Sequence, residues 1–189
     1  MQRFTKQRPL RRIMDAIATP AGETGFDPVT GLATREKFHD RAATEWERRK
    51  KDHGPMTLLL IDIDRFDAFK GVNGIETAEA CLATVAEIIA RQCRRRGDFV
   101  GRLRDHNIAV LLSEGTPKGG EKVGEQIRVA VEKLGLGDRT AGTLITVSVG
   151  VASVIPRSSR FVESLLALAD KGLGKACDQG GNCIVSVRE

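Results

Sequence analysis

The run Met56–Ile63, MTLLLIDI, limits the fold more than any other segment of this chain. It is short, apolar almost throughout and free of breakers before Asp62. A strand that exposed one face to water would alternate apolar with polar residues, and this one does not. It is therefore expected to be buried on both faces, inside a sheet that carries helices on each side. The same strand delivers Asp62 and Asp64 to its C-terminal end.

The segments around it supply those helices. Thr34 is placed to cap a helix with Phe38, Ala42 and Trp46 on one face, ending in the charged run Arg48 to Asp52. From Thr77 to Arg94, the residues Ala78, Cys81, Leu82, Val85, Ala86, Ile88 and Ile89 recur at helical period. Lys118 to Leu134 and Phe161 to Cys177 show the same period. Strand patterns occur at Asp98 to Leu103, Ile108 to Leu112, Leu144 to Val154 and Cys183 to Val187. The first two of these are separated by polar Arg104 to Asn107, which reads as an antiparallel hairpin. The fold class expected is α/β or α+β, a central mixed sheet of about five strands flanked by helices.

Before this domain, Pro9, Leu10, Ile13, Met14 and Ile17 describe a short amphipathic helix, and Pro20, Gly22 and Gly25 a linker. Residues 1–25 are thus expected to form an appendage and residues 26–189 a single domain, which suits a chain of 189 residues. No stretch is apolar for long enough to enter a membrane, and Met1 to Arg12 lack the apolar run of a signal peptide. A cytoplasmic location is expected. Cys81, Cys93, Cys177 and Cys183 have neither CxxC spacing nor histidines nearby, so free and mostly buried thiols are expected rather than a zinc or redox site. The net charge of +5 suits an anionic partner, yet aromatic residues are only 4% of the chain and are not interleaved with basic ones. A nucleic acid polymer is therefore not expected, and a small anionic ligand stays open. The basic tract Arg94 to Arg96 reads equally as a solvated helix end.

Several local strings, taken in order, resemble the GGDEF family of diguanylate-cyclase-like domains. Asp27 to Leu32, DPVTGL, resembles the DxLTGL motif, with Arg35 and Phe38 following as expected. Leu58 to Phe66 resembles the metal-bearing strand. Gly97 to Arg102 and Ala109 to Leu112 resemble the flanks of the signature hairpin. Thr146 to Ala152 resembles the late strand, and Asp170, Leu173, Ala176, Gly180 and Asn182 the last helix and its turn. The resemblance spans about Asp27 to Val187 and implies a nucleotidyl-cyclase-like fold with an antiparallel signature hairpin.

Such domains join two GTP molecules into cyclic di-GMP, using carboxylate-held magnesium and a glycine hairpin that leaves room for the nucleotide. Aligned by its flanks, the signature falls on Arg104, Asp105, His106, Asn107 and Ile108, which read RDHNI. The resemblance leaves Asp62 as a vestigial metal ligand, Asp67 in place of a lysine, Lys70 in place of a guanine-binding asparagine, and Glu79 in place of an aspartate. Cys177 and Gly181 stand where lysine and arginine meet phosphates. The chain is accordingly expected not to be an enzyme and to need no cofactor.

The family's product-binding site is an RxxD motif five residues ahead of the signature, and Arg95, Arg96, Gly97 and Asp98 keep that spacing. An arginine fork suits the guanine O6 and N7 edge, and a carboxylate accepts from guanine N–H groups. Arg128 is a candidate for a further basic contact. The function expected is a catalytically silent regulatory domain receiving cyclic di-GMP through Arg95 and Asp98. The alternative is a nucleotide-independent module for homodimerisation or for docking a protein partner. A third reading, altered chemistry at His106, finds no accompanying base or nucleophile in the sequence.

Overall fold

A computed structural model describes residues 25–93, 95–138, 140, 142–157 and 162–188. The chain runs through α1 (Arg35–Asp52), β1 (Met56–Ile63), α2 (Phe66–Asn73), α3 (Ile75–Gln92), β2 (Phe99–Arg104), β3 (Asn107–Leu112), α4 (Pro117–Glu132), β4 (Val147–Val154), α5 (Val162–Asp178) and β5 (Ile184–Val187). The five strands form one sheet in the order β2-β3-β1-β4-β5. β1 is antiparallel to β3 and β4, β2 is antiparallel to β3, and β5 joins β4 in parallel. The sheet is mixed, and the fold is α+β.

The strand MTLLLIDI is central, and its period-2 alternation explains why both of its faces are apolar. Leu59, Ile61 and Ile63 enter a core shared with α2, α3 and α4. Met56, Leu58 and Leu60 enter a second core on the opposite face, shared with α1 and α5. Leu58, Leu59 and Ile61 are wholly excluded from solvent. Each such side chain contributes roughly 1.5–3 kcal/mol relative to exposure, so a polar residue at any of them would cost one core or the other.

Helix starts follow their caps. The Thr34 hydroxyl accepts from the Lys37 amide, and the Thr116 hydroxyl accepts from the Gly119 amide at 3.1 Å, with Pro117 in the first turn of α4. Helix α5 packs tightly on β4 and β5. A Cβ on Gly150 would lie 2.1 Å from the Ala169 carbonyl oxygen, and one on Gly172 would lie 2.9 Å from that of Val185.

The structure departs from the sequence reading in several places. Helix α2 was not anticipated, because eight residues with Phe66 and Phe69 as the only buried positions give too short a pattern to stand out. Arg95 and Arg96 lie beyond helix α3 rather than at its end, since α3 stops at Gln92. The cysteines are all free, but only Cys81 is buried, while Cys93 and Cys183 are half-buried and Cys177 is exposed. The amphipathic segment expected between Pro9 and Ala18 lies outside the described residues. No helix among the described residues is long and apolar enough to cross a membrane.

Candidate functional site

The C-terminal end of β1 meets the β2–β3 hairpin, because Asp62 is the cross-strand partner of Asn107. The Asn107 side-chain amide donates to Asp62 Oδ1 at 2.5 Å, and His106 Nε2 lies 3.2 Å from the same oxygen. His106 also packs on Phe66, ring centroids 5.0 Å apart. This histidine is thus no ordinary surface residue, as only 22% of its side chain is exposed. Burial pushes the Asp62 carboxyl above its ordinary value; the charge of Asp64 adds to this, and His106 and Asn107 offset only part.

Asp64 has a different job. Its carboxylate accepts from the hydroxyls of Thr146 and Ser148, both at 2.6 Å, and from the Asn182 amide at 2.8 Å. It ties the end of β1 to the approach to β4, to β4 itself and to the turn between α5 and β5. Asp62 and Asp64 are therefore engaged within the protein. As folded, they do not fit a magnesium pair, which needs carboxylate oxygens and waters in near-octahedral array. Among the described residues no group of three histidine, cysteine or acidic side chains is placed to hold a metal ion.

On the other side of His106 lies a cleft of 190 Å³ lined by Phe66, Asp67, Lys70, Glu79, Arg102 and Asp105, among others. Asp67, Lys70 and Glu79 converge on this one cleft. Arg102 is fixed rather than free: its Nη1 lies 3.0 Å from both Asp27 oxygens, and its Nε donates to the Asp105 carbonyl at 2.7 Å. Asp105 takes φ +31°, a turn conformation that removes it from the strand. Arg104, exposed, and Ile108, fully buried, stand on either side of the turn as the ladder resumes.

The second centre is the turn between α3 and β2. The Asp98 amide donates to the Arg95 carbonyl at 3.0 Å, and the Arg95 amide donates to Asp98 Oδ2 at 3.2 Å. Gly97 supplies the positive φ, +101°, that closes this loop. Beside it is a cleft of 320 Å³ lined by Arg95, Arg96, Asp98, Glu114, Lys122 and Gln126, with Gly115 and Gly119 at its wall. Burial raises the Asp98 carboxyl, with Glu114 adding to the effect, against the pull of the Arg95 amide and charge.

The structure brings Arg95 and Asp98 together but not Arg128 with them. Arg128 points along α4 to Glu125, Glu132 and Asn182, at 2.7, 3.0 and 2.9 Å. The α4 residues that do line the cleft are Lys122 and Gln126, one helical turn apart. Their i, i+4 spacing was a signal in the sequence, although nothing there fixed which face of α4 turns to the arginine turn.

Fold and hairpin together define an α+β domain of the signature-hairpin type. The family described as diguanylate cyclase, GGDEF domain, matches residues 24–183, and the chain belongs to this family. The probable diguanylate cyclase DgcC of Escherichia coli K12 is 30% identical over 184 residues, 96% of this chain and 46% of that protein. Diguanylate cyclase DgcP of Pseudomonas aeruginosa is 27% identical over 150 residues, 79% of this chain and 22% of that protein. The chain thus spans less than half the length of these relatives. The GGDEF domain of DgcB from Caulobacter crescentus, solved in complex with c-di-GMP, superposes with a TM-score of 0.80 at 25% identity, covering 87% of this chain and 94% of that one. The active GGEEF domain of a Vibrio cholerae diguanylate cyclase, 21% identical with a TM-score of 0.76, covers 84% of this chain and 99% of that one and agrees in fold. These names correct the expectation of a non-enzyme. The relatives are named diguanylate cyclases, so kinship points to an enzyme.

Proposed function

We propose that the domain acts in cyclic di-GMP signalling as a receptor, binding the dinucleotide at the turn Arg95 to Asp98, and that RDHNI stands at the signature position of the family. The observation that carries this reading is the cleft where the Arg95–Asp98 turn faces Lys122 and Gln126. It offers a guanidinium fork, a carboxylate, an ammonium and an amide within one concavity. Those are the groups that a guanine edge and a phosphodiester require. The c-di-GMP complex of the DgcB domain supports the choice of ligand, being that of a relative with the same fold. Localisation in the cytoplasm, where such a dinucleotide would be met, belongs to the same reading.

Calorimetric titration with cyclic di-GMP tests it. Arg95→Ala is expected to weaken binding by about one to two orders of magnitude, the size of one charged hydrogen bond. Asp98→Ala should do likewise. Arg128→Ala should leave affinity unchanged while lowering stability, because its partners are Glu125, Glu132 and Asn182. Equal affinity for the parent and Arg95→Ala would overturn the assignment. No binding by the parent would leave the interaction module, a homodimer or a protein partner docked on this fold, as the surviving alternative.

A further inference from the structure

On the face of the sheet opposite the cleft beside His106, between α1 and α5, lies a third concavity of 340 Å³. Its floor is apolar. Phe38 and Leu60 line it from the core, and Leu103 and Leu166 from the partly buried margin. Its rim is charged: Arg35 at the start of α1, Arg104 and Asn107 on the hairpin, Asp170 on α5, and the pair His39–Glu163, 2.9 Å apart, across the mouth. Among the described residues, neither the Arg35 nor the Arg104 guanidinium has an ion-pair or hydrogen-bond partner. Elsewhere the buried or half-buried guanidiniums are matched: Arg102 by Asp27, Arg128 by Glu125 and Glu132.

We infer that this cleft is a binding site for a small organic anion with an apolar body, of the arenecarboxylate or arenesulfonate kind. The volume falls at the lower end of the range for small-molecule sites, and the composition, mostly apolar with a few convergent polar groups, is theirs as well. The apolar body covers Phe38, Leu60, Leu103 and Leu166. The anionic end neutralises Arg35 and Arg104, whose guanidinium N–H groups donate to no group among the described residues and are therefore available to it. A neutral apolar ligand would leave both guanidiniums without an ion-pair contact, since Glu163 is paired with His39 and neither Glu163 nor Asp170 lies within ion-pair distance of them.

The site also has a route to the hairpin. Asn107 lines the cleft and donates to Asp62, so a ligand that displaces or holds the Asn107 amide acts on the carboxylate at the end of β1. Arg104 lies four residues before Ile108, whose side chain is locked in the opposite core, so movement is confined to the turn. The inference is independent of cyclic di-GMP binding, since Arg95 and Asp98 line a different cleft.

The test is an amide NMR titration of the full 189-residue chain with 1-naphthalenesulfonate, with neutral 1-naphthalenemethanol as the control. The sulfonate is expected to shift the amides of Arg104, Asn107, Leu166 and Ala167, and that of Asp62 through Asn107. The double substitution Arg35→Ala, Arg104→Ala should weaken it roughly tenfold or more, and the neutral alcohol should bind roughly tenfold more weakly than the sulfonate. Both arginines are exposed, so the double variant keeps the parent's dispersed spectrum. Arg104→Lys, which retains the charge, should lose less than Arg104→Ala. Shifts confined to other residues, unchanged affinity in the double variant, or equal binding of the alcohol would each overturn the proposal. So would movement of the same amides with protein concentration alone, which would mean that a second copy of the chain covers the cleft.

Discussion

Arg102 fastens Asp27 to the hairpin: one of its terminal nitrogens lies 3.0 Å from both carboxylate oxygens, while its Nε donates to the Asp105 carbonyl. The turn preceding α1 and the β2–β3 turn are thus held by a single guanidinium. The adjoining backbone repeats the connection, since the Arg102 amide donates to the Ala33 carbonyl at 2.9 Å.

This clamp has a pH signature. Burial alone would raise the Asp27 carboxyl, but hydrogen bonds from the Thr30 hydroxyl and amide, and the Arg102 guanidinium, outweigh it and hold the group below its ordinary 3.8. A depressed carboxylate contributes stability that is present above the unfolded value and is lost as pH falls through the folded one. Asp27→Asn should therefore cost about 1 to 2 kcal/mol near neutral pH, since both side chains are mostly but not wholly buried. The difference from wild type in urea unfolding should shrink as pH falls below 3.8. A cost that is the same at acid and neutral pH would show that the ionic clamp is not its source.

Gly150 is where β4 touches α5. An added methyl would sit 2.1 Å from the Ala169 carbonyl oxygen and 2.3 Å from the Leu173 nitrogen, both of them backbone atoms that cannot rotate away. Gly150→Ala must move α5 off the sheet, and overpacking of this kind costs about 1–3 kcal/mol or more. Gly174→Ala, on the open side of the same helix, meets nothing within 4 Å and should stabilise slightly through helix propensity. Thermal unfolding of the two variants side by side reads the contrast.

The parts of this fold that were legible in the sequence are those fixed by local pattern. Met56–Ile63 emerged with the bounds expected, because an unbroken apolar run can satisfy both faces only in the middle of a sheet. The hairpin, the Thr34 cap and the long helix α3 were legible for the same kind of reason. What depended on distant chain segments was not. Asp64 gave no sign of its partners Thr146, Ser148 and Asn182, which lie more than 80 residues away. Arg128 resembled a free basic residue until α4 and the α5–β5 turn were placed together. His106 resembled a solvent-facing turn residue because nothing local announces that Asp62 and Phe66 converge on it.

Thiol chemistry separates the four cysteines. Burial pushes the Cys81 thiol up to about 12, and burial with the charge of Asp98 takes Cys93 to about 12 as well. The thiolate is the reactive form, so neither is available near pH 8 in the folded state. Cys177 is exposed and should be alkylated first, although burial and then Asp62 and Asp64 raise its thiol too. Iodoacetamide labelling followed by peptide mass mapping should find Cys177 modified in the folded protein, and Cys81 and Cys93 only after unfolding. Early modification of Cys81 would mean that α3 opens on the timescale of the reaction.

Asp62 is held in a setting that costs stability. Its carboxyl is raised by burial foremost, with Asp64 adding to the shift and the contacts from His106 and Asn107 failing to cancel it. A raised acid takes up its proton more readily in the folded state than in the unfolded one. Its favourable contribution is therefore complete below the unfolded value of 3.8 and is lost as pH rises through the folded value. Asp62→Asn removes the titration while keeping size and shape. The stability of Asp62→Asn relative to wild type should then climb with pH from about the ordinary 3.8 and level off once the folded carboxyl has ionised. Such a rise is the stability cost of burying a carboxylate whose partners do not fully compensate it. Denaturant unfolding of both proteins between acid and neutral pH measures it. If wild type instead gained on Asp62→Asn as pH rose, the pairing with His106 would outweigh burial, and the end of β1 would be a structural ion pair like that of Asp27 and Arg102.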